Sequence, residues 1–388
     1  MSQTGADKTT MKKPLYRTII DHYTEAIESG ELKPGDQIPI EKQLVQLFGV
    51  SRITVVRALS ELESKGMITR TKKKGTFVAE PGVRSGAARK LPIVSVVLPF
   101  DIYVGYDILR GVEHECKQRG IYVSYHNSCY DAEEERAIIK RLLADNVDGL
   151  IVYPSSSDRN IDLYSDMFIK RFPFVVIDRN IDGLDAPHVL SQNYQGGYDI
   201  TAHLIKLGHR RIAFVCNALR STESVLQRYR GYCRALTDAG ILLRSEWLAD
   251  DYLVYHTPPE RFAPSNEKSA QTIMARLMAL KHAPTAIVAV NDLTGMFLVK
   301  EARRIGLSVP DQLSVTGFDN LPFADHLEVP LTTMEQSFYS IGRAAVSLLH
   351  PSNSKKGDIS AESTTIELPM KLIERRSAAR PANDAERD

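Results

Sequence analysis

The stretch EKQLVQLFGVSRITVVRALSELESK, residues 41–65, decides the fold of the N-terminal part of the chain. It predicts two short helices, Glu41 to Phe48 with Leu44, Leu47 and Phe48 inward, and Ser51 to Lys65 with Val55, Leu59 and Leu62 inward. Gly49 supplies the permissive turn between them, and the Ser51 hydroxyl can cap the second helix. Two helices so joined read as a helix-turn-helix. Outward from it, Leu15, Ile19, Ile20, Tyr23 and Ile27 recur at helical spacing before Gly30, which predicts a preceding amphipathic helix. Beyond Gly66, Met67–Arg70 and Thr76–Val78 read as two short strands around the basic tip Lys72-Lys73-Lys74-Gly75, a wing.

Charge follows the same division. The 388-residue chain has a formal net charge of +1, but residues 1–90 carry 16 Lys and Arg against 10 Asp and Glu, and the rest 33 against 38. A basic head on an acidic body suits a protein that meets a polyanion at one end, because phosphate contacts dominate nonspecific nucleic-acid affinity. With 43% hydrophobic and 25% charged residues the chain can bury cores, and its length implies two or three domains. No segment reaches the roughly 20 apolar residues of a membrane span and MSQTGADKTT lacks a signal-peptide core, so a cytoplasmic protein is expected. Cys116, Cys129, Cys216 and Cys233 form no C-x-x-C pair or metal spacing and read as buried, reduced thiols.

In a helix-turn-helix the N-terminal part of the second helix enters the major groove, which places Ser51, Arg52, Thr54 and Arg57 at the DNA. An arginine fork fits guanine O6 and N7, and threonine can offer a methyl to thymine. Lys42 is expected against the backbone, and Lys73, Lys74, Gly75 and Thr76 at the neighbouring minor groove. A solvated hairpin tip is the plainer reading of the wing lysines. The runs Pro34-Gly35-Asp36-Gln37-Ile38-Pro39, Phe48 to Val55, Ala58-Leu59 and Gly75-Thr76-Phe77-Val78 resemble the GntR-type winged helix over residues 14–80. Two positions depart from it: Ile40 replaces a hydroxyl residue that would cap the first helix, and Val56 stands where an arginine is usual, with Arg57 about 100° further round the helix.

The expected organisation is a winged helix-turn-helix over 12–80, a linker over 81–91 without apolar period, a two-lobed body over 92–376 and a disordered tail over 377–388. In the body, apolar strands at Ile93–Leu98, Tyr122–His126, Gly149–Tyr153 and Phe174–Ile177 alternate with helices over 105–119 and 132–145. A second series runs from Arg211–Cys216 through helices over 224–240 and 292–305 to strands Ala286–Ala289 and Leu313–Gly317. This predicts α/β architecture, two doubly wound parallel-sheet lobes around a cleft. His203 to Val215, Arg228 with Gly231-Tyr232, Asn291-Asp292, Val309-Pro310-Asp311, Gly317 to Asn320 and Pro330 to Thr333 resemble the LacI/GalR-type effector domain, which is similar to periplasmic sugar-binding proteins. Gln192-Asn193 departs from the more usual Asp-Asn there.

That resemblance implies a small-molecule effector, a sugar, and places Arg228, Asn291 and Asp319 at its site. Phe100, Tyr103 and Tyr106 can stack on a sugar ring or simply pack, and Ser155 and Arg179 are further candidates at strand ends. A GntR-type head on a LacI-type body resembles the arabinose-responsive repressors of bacilli, implying a pentose, double-stranded operator DNA and a homodimer whose closure alters the presentation of its heads. No cofactor or metal is expected. An enzyme fused to the head is disfavoured because no nucleophile elbow, glycine-rich phosphate loop or H-E-x-x-H motif occurs, and a transport protein by the DNA-binding head.

Overall fold

A computed structural model of the chain describes residues 15–71, 75–79, 91–99, 104–156, 158–217, 219, 222–252, 262–349 and 365–382. It divides into two units, residues 1–91 and 92–388.

In the first unit α1 (Leu15–Glu28), α2 (Glu41–Phe48) and α3 (Arg52–Ser64) enclose a core with a three-stranded antiparallel sheet of β1 (Gln37–Ile38), β2 (Ile68–Thr71) and β3 (Gly75–Val78) in the order β1-β3-β2. Ile19, Tyr23, Leu44, Val55, Leu59, Leu62, Ile68 and Val78 form that core. Gly49 takes φ +62°, the left-handed turn between the two helices, and the Ser51 side chain accepts from Thr54 N–H. Ile40 makes no side-chain cap, but Gln43 Oε1 accepts the Ile40 N–H at 3.1 Å, so one half of a capping box survives. Leu47, expected inward, is 65% exposed; α2 is only two turns long, and its buried stripe is Leu44 alone.

The second unit has two six-stranded sheets. The first lobe contains β4 (Ile93–Leu98), α4 (Val104–Gln118), β5 (Tyr122–Asn127), α5 (Ala132–Ala144), β6 (Gly149–Val152), α6 (Ile161–Ile169), β7 (Phe174–Ile177) and β8 (His188–Ser191). The second contains α7 (Asn193–Leu207), β9 (Ile212–Val215), α8 (Glu223–Asp238), β10 (Leu248–Ala249), α9 (Phe262–Met278), β11 (Ala286–Ala289), α10 (Asp292–Arg304), β12 (Ser314–Asp319) and β13 (Thr332–Glu335). The chain then returns with α11 (Phe338–Leu349) and β14 (Thr365–Leu368) to the first lobe, and ends with β15 (Lys371–Ile373) in the second. Strand orders are β14-β8-β7-β6-β4-β5, all parallel, and β10-β9-β11-β12-β13-β15, parallel except for β15. Strands such as Ile212–Val215 and Phe174–Ile177 are buried throughout, the reason they read as unbroken apolar runs.

Three crossings, at 191–193, 335–338 and 368–371, join the lobes. Gln192 N–H donates to Leu368 O at 2.9 Å, tying two of them together. Each lobe also holds one glycine-to-glycine helix crossing. In the first, a Cβ on Gly111 of α4 would lie 2.0 Å from Tyr339 O and one on Gly342 of α11 2.2 Å from Ile108 O; in the second, Gly197 of α7 and Gly231 of α8 would each meet backbone oxygen at 2.1 Å.

The tail does not begin at 377. Ser377 is fully buried, its carbonyl accepting from Val315 N–H at 2.8 Å and its hydroxyl from Thr332 N–H at 2.8 Å, while Ala379 O lies 2.9 Å from His209 Nε2. Its polar composition concealed a segment that uses backbone and hydroxyl groups, not apolar side chains, to hold its place. Cys129 is exposed, unlike the buried Cys116 and Cys216.

Candidate DNA interface and effector site

On the head, the first turn of α3 carries Arg52, 80% exposed at its side chain, and Thr54, whose hydroxyl lies 2.8 Å from that of Ser51. Ser51 therefore serves first as a cap. Arg57 is exposed but its guanidinium stacks 4.1 Å from the centroid of the Tyr16 ring, tethering it to α1. Lys42 is exposed on α2. Thr76 is nine-tenths buried inside the hairpin, opposite Arg70 and Ile38, so its side chain belongs to the packing and the expected groove contact is corrected. Gly75 is needed where it stands, since its φ is +120° and a Cβ would come 2.7 Å from Gln37 Nε2. Lys73 and Lys74 lie outside the described residues.

The sequence reading passed over Ile53, 82% exposed beside Arg52. An isoleucine that turns away from the core at the start of such a helix offers a methyl surface of the kind that reads thymine. Because the Arg52 side chain is 80% exposed at the first turn of α3 and Arg57 is stacked on Tyr16, Arg52→Ala is expected to cost roughly 1–3 kcal/mol in operator affinity and Arg57→Ala less. Titrations of both variants against one duplex check this order, and an equal or reversed order would contradict it.

In the body the strand ends of both lobes present acids on strained backbone. Asp178, after β7, has φ +59° and Asp319, ending β12, has φ +102°; such left-handed conformations in non-glycine residues persist where packing enforces them, often at functional sites. Tyr153 OH donates to Asp178 Oδ2 at 2.6 Å, and Gln336 Nε2 donates to Asp319 Oδ1 at 2.6 Å. Burial pushes both carboxyls above the usual range; Tyr153, Arg228 and Arg179 pull Asp178 back, and Arg228 and Gln336 pull Asp319 back.

Arg228 is the link. From α8 it donates to Asn193 Oδ1 at 2.8 Å and Val290 O at 2.7 Å, reaches Asp319 at 3.8 Å, and stacks 4.6 Å from the Phe318 centroid. It is buried, as expected of a site arginine, but as much a brace of the hinge as a ligand donor. Asn291 caps α10, its Oδ1 accepting Thr294 N–H at 2.8 Å. Arg179 clamps the loop after β6 by donating to Ser155 O at 2.7 Å, and the Ser155 hydroxyl lies 3.1 Å from that of Ser128. Tyr106 is 62% exposed, near Arg110 of its own helix, and lines none of the described cavities; Phe100 and Tyr103 lie outside the described residues.

At the first lobe crossing a cavity of about 510 Å³ opens among Asp178, Asn180, Ser191, Gln192, Asn193 and Gln227; Arg228 reaches its lining through Asn193, but Arg228, Asn291 and Asp319 do not themselves line it. Three residues of its lining carry a buried polar atom without a partner, Asp178 Oδ1, Asn180 Oδ1 and Ser191 Oγ; Arg179 Nε and Gln336 Oε1, also partnerless, lie outside that lining. Such atoms cost free energy unless something occupies the space and bonds to them. None was singled out from sequence except Arg179, because short polar residues at strand ends look the same whether or not they face a cavity. Among the described residues no cluster of metal-ligating side chains occurs, and no helix is long and apolar enough to cross a membrane.

Comparison with known proteins agrees with both units. Residues 15–78 match the bacterial regulatory proteins of the gntR family, and residues 201–378 the periplasmic binding protein-like domain. The chain is 30% identical over 341 residues to the arabinose metabolism transcriptional repressor of Geobacillus stearothermophilus, covering 87% of this chain and 90% of that protein. It is 33% identical over 276 residues to the transcriptional repressor PurR of Erwinia tasmaniensis, covering 70% and 75%. The transcription regulator CcpA of Lactococcus lactis shares the fold with a TM-score of 0.63 at 22% identity, over 74% of this chain and 100% of that one. A LacI family regulator from Enterococcus faecium, solved with bound ribose, superposes at 0.59 and 24% identity over 74% and 99%. A GntR-type winged helix followed by a periplasmic-binding-protein-like body, in a chain 30% identical over 87% of its length to an arabinose metabolism transcriptional repressor, places this chain in the family of bacterial DNA-binding transcriptional repressors to which the arabinose metabolism repressors belong.

Proposed function

We propose that the chain acts in the cytoplasm as a homodimeric repressor on double-stranded operator DNA, its operator affinity set by a small sugar, a pentose such as arabinose, held between the lobes of the body. The observation that carries this reading is the set of partnerless buried polar atoms lining the cavity at the first lobe crossing, Asp178 Oδ1, Asn180 Oδ1 and Ser191 Oγ, all able to accept, which call for a ligand rich in hydroxyl donors. The names of the arabinose repressors and of the ribose-bound regulator support a sugar of this size. The body is read as a sensor without catalytic turnover or cofactor, and the sugar need only favour one operator-binding state over the other by the 1–3 kcal/mol typical of allosteric coupling.

A thermal-shift panel of pentoses and hexoses tests this: a sugar at a hundredfold excess over its Kd should add about 2.7 kcal/mol to the stability of the native body. A panel in which no sugar moves the transition and none alters operator binding would overturn the sugar reading. The pH dependence follows from Asp178. Its free-state carboxyl is raised by burial, and hydroxyl donors from a bound sugar favour its ionised form. Binding therefore releases a proton, and affinity should fall as pH drops into that raised range. Calorimetry across pH should show the decline, and Asp178→Asn should flatten it.

A further inference from the structure

Glu41, the first residue of α2, sits between the two arms of the DNA-binding surface. Its Oε2 accepts from Arg52 Nε at 3.1 Å, and its Oε1 accepts from Arg70 Nη2 of β2 at 2.6 Å. The carboxylate is three-quarters covered, whereas Arg52 is 80% exposed. The Arg52 guanidinium, with Arg70 behind it, holds Glu41 below the usual carboxylate range, so the acid is charged at neutral pH. Engaging Nε leaves the two terminal nitrogens of Arg52 pointing onward, the end of the fork that can bond guanine O6 and N7 together. A free arginine would have to be ordered on binding and would spend its charge on any phosphate in reach. A carboxylate at the same surface also repels phosphates, which lowers binding to DNA of every sequence.

We propose that Glu41 is a positioning residue for base reading: it aims Arg52 at the groove, ties the recognition helix to the hairpin, and raises discrimination between sequences at the expense of nonspecific affinity. The inference rests on the reading of α3 as the groove-facing helix.

The test uses the full-length chain and two duplexes, one enriched from a random pool by the wild-type protein and one scrambled from it. Glu41→Gln should leave affinity for the scrambled duplex equal or higher while the ratio of the two affinities falls about tenfold, the lower part of the range for a bidentate arginine contact. In an Arg52→Ala background the same change should cost no further discrimination, because the two residues act as one unit. A ratio unchanged by Glu41→Gln, or the same loss in both backgrounds, overturns the proposal. If Arg52→Ala itself leaves the ratio untouched, the groove-facing assignment of α3 fails, and this inference with it. Should Glu41→Gln lose binding to both duplexes, Arg70→Gln decides, since it removes only the hairpin arm: a lowered ratio supports the positioning role and an unchanged one overturns it.

Discussion

Replacing Arg228 with alanine is expected to lower the stability of the body by about 3 kcal/mol, the cost of stranding one member of a buried ionic pair, and to abolish effector binding at the same time. The change removes the cation nearest the buried Asp319, the donors to Asn193 and Val290, and the guanidinium over Phe318. Asp319 would respond by taking up a proton, since burial already raises its carboxyl and Arg228 is the main influence opposing that rise. Arg228→Lys separates the two effects: it keeps a charge but not the planar fork, so stability should recover in part while sugar binding stays lost. Denaturant unfolding paired with calorimetric titration reads both quantities. Full stability in Arg228→Ala would mean the network is not bracing the hinge, and normal sugar affinity would put the effector elsewhere.

Gly231→Ala reverses the usual sign of a glycine-to-alanine change. In an exposed helix interior this substitution stabilises by about 1 kcal/mol, but here the new methyl would sit 2.1 Å from Tyr194 O and 2.6 Å from Tyr198 N, both backbone atoms that no rotamer change can move. A loss of about 3 kcal/mol is expected, the upper end for overpacking, as α7 and α8 are forced apart. Because α8 carries Arg228 and α7 begins at Asn193, effector affinity should fall as well. Gly342→Ala gives the contrast: it should destabilise the first lobe, where its methyl would meet Ile108 O, without displacing Arg228. A rise in melting temperature for Gly231→Ala would show that the crossing is looser than the structure has it.

The head was legible in the sequence because its signals are local. Gly49, the Ser51 cap and the stripe of Val55, Leu59 and Leu62 act within a few residues of one another. Leu47 misled because a two-turn helix buries too narrow a stripe for periodicity to choose between Leu44 and its neighbours. In the body, buried parallel strands were recognisable as apolar runs, whereas β8, β13, β14 and β15 carry polar residues at the lobe crossings and gave no such run. Arg228 and Asp319 were reached through family resemblance. Their partners Asn193 and Gln336 come from distant crossings, a juxtaposition that no spacing rule contains.

The anchoring of Ser377 and Ala379 has a genetic corollary. A stop codon that falls just after Ile373 removes only a short polar stretch, yet it would strip β12 of a backbone partner and leave His209 and Thr332 facing emptied positions. Such an allele should behave as a null, with the truncated product degraded in the cell. In a reporter strain it should give constitutive expression where the full-length chain gives regulated expression.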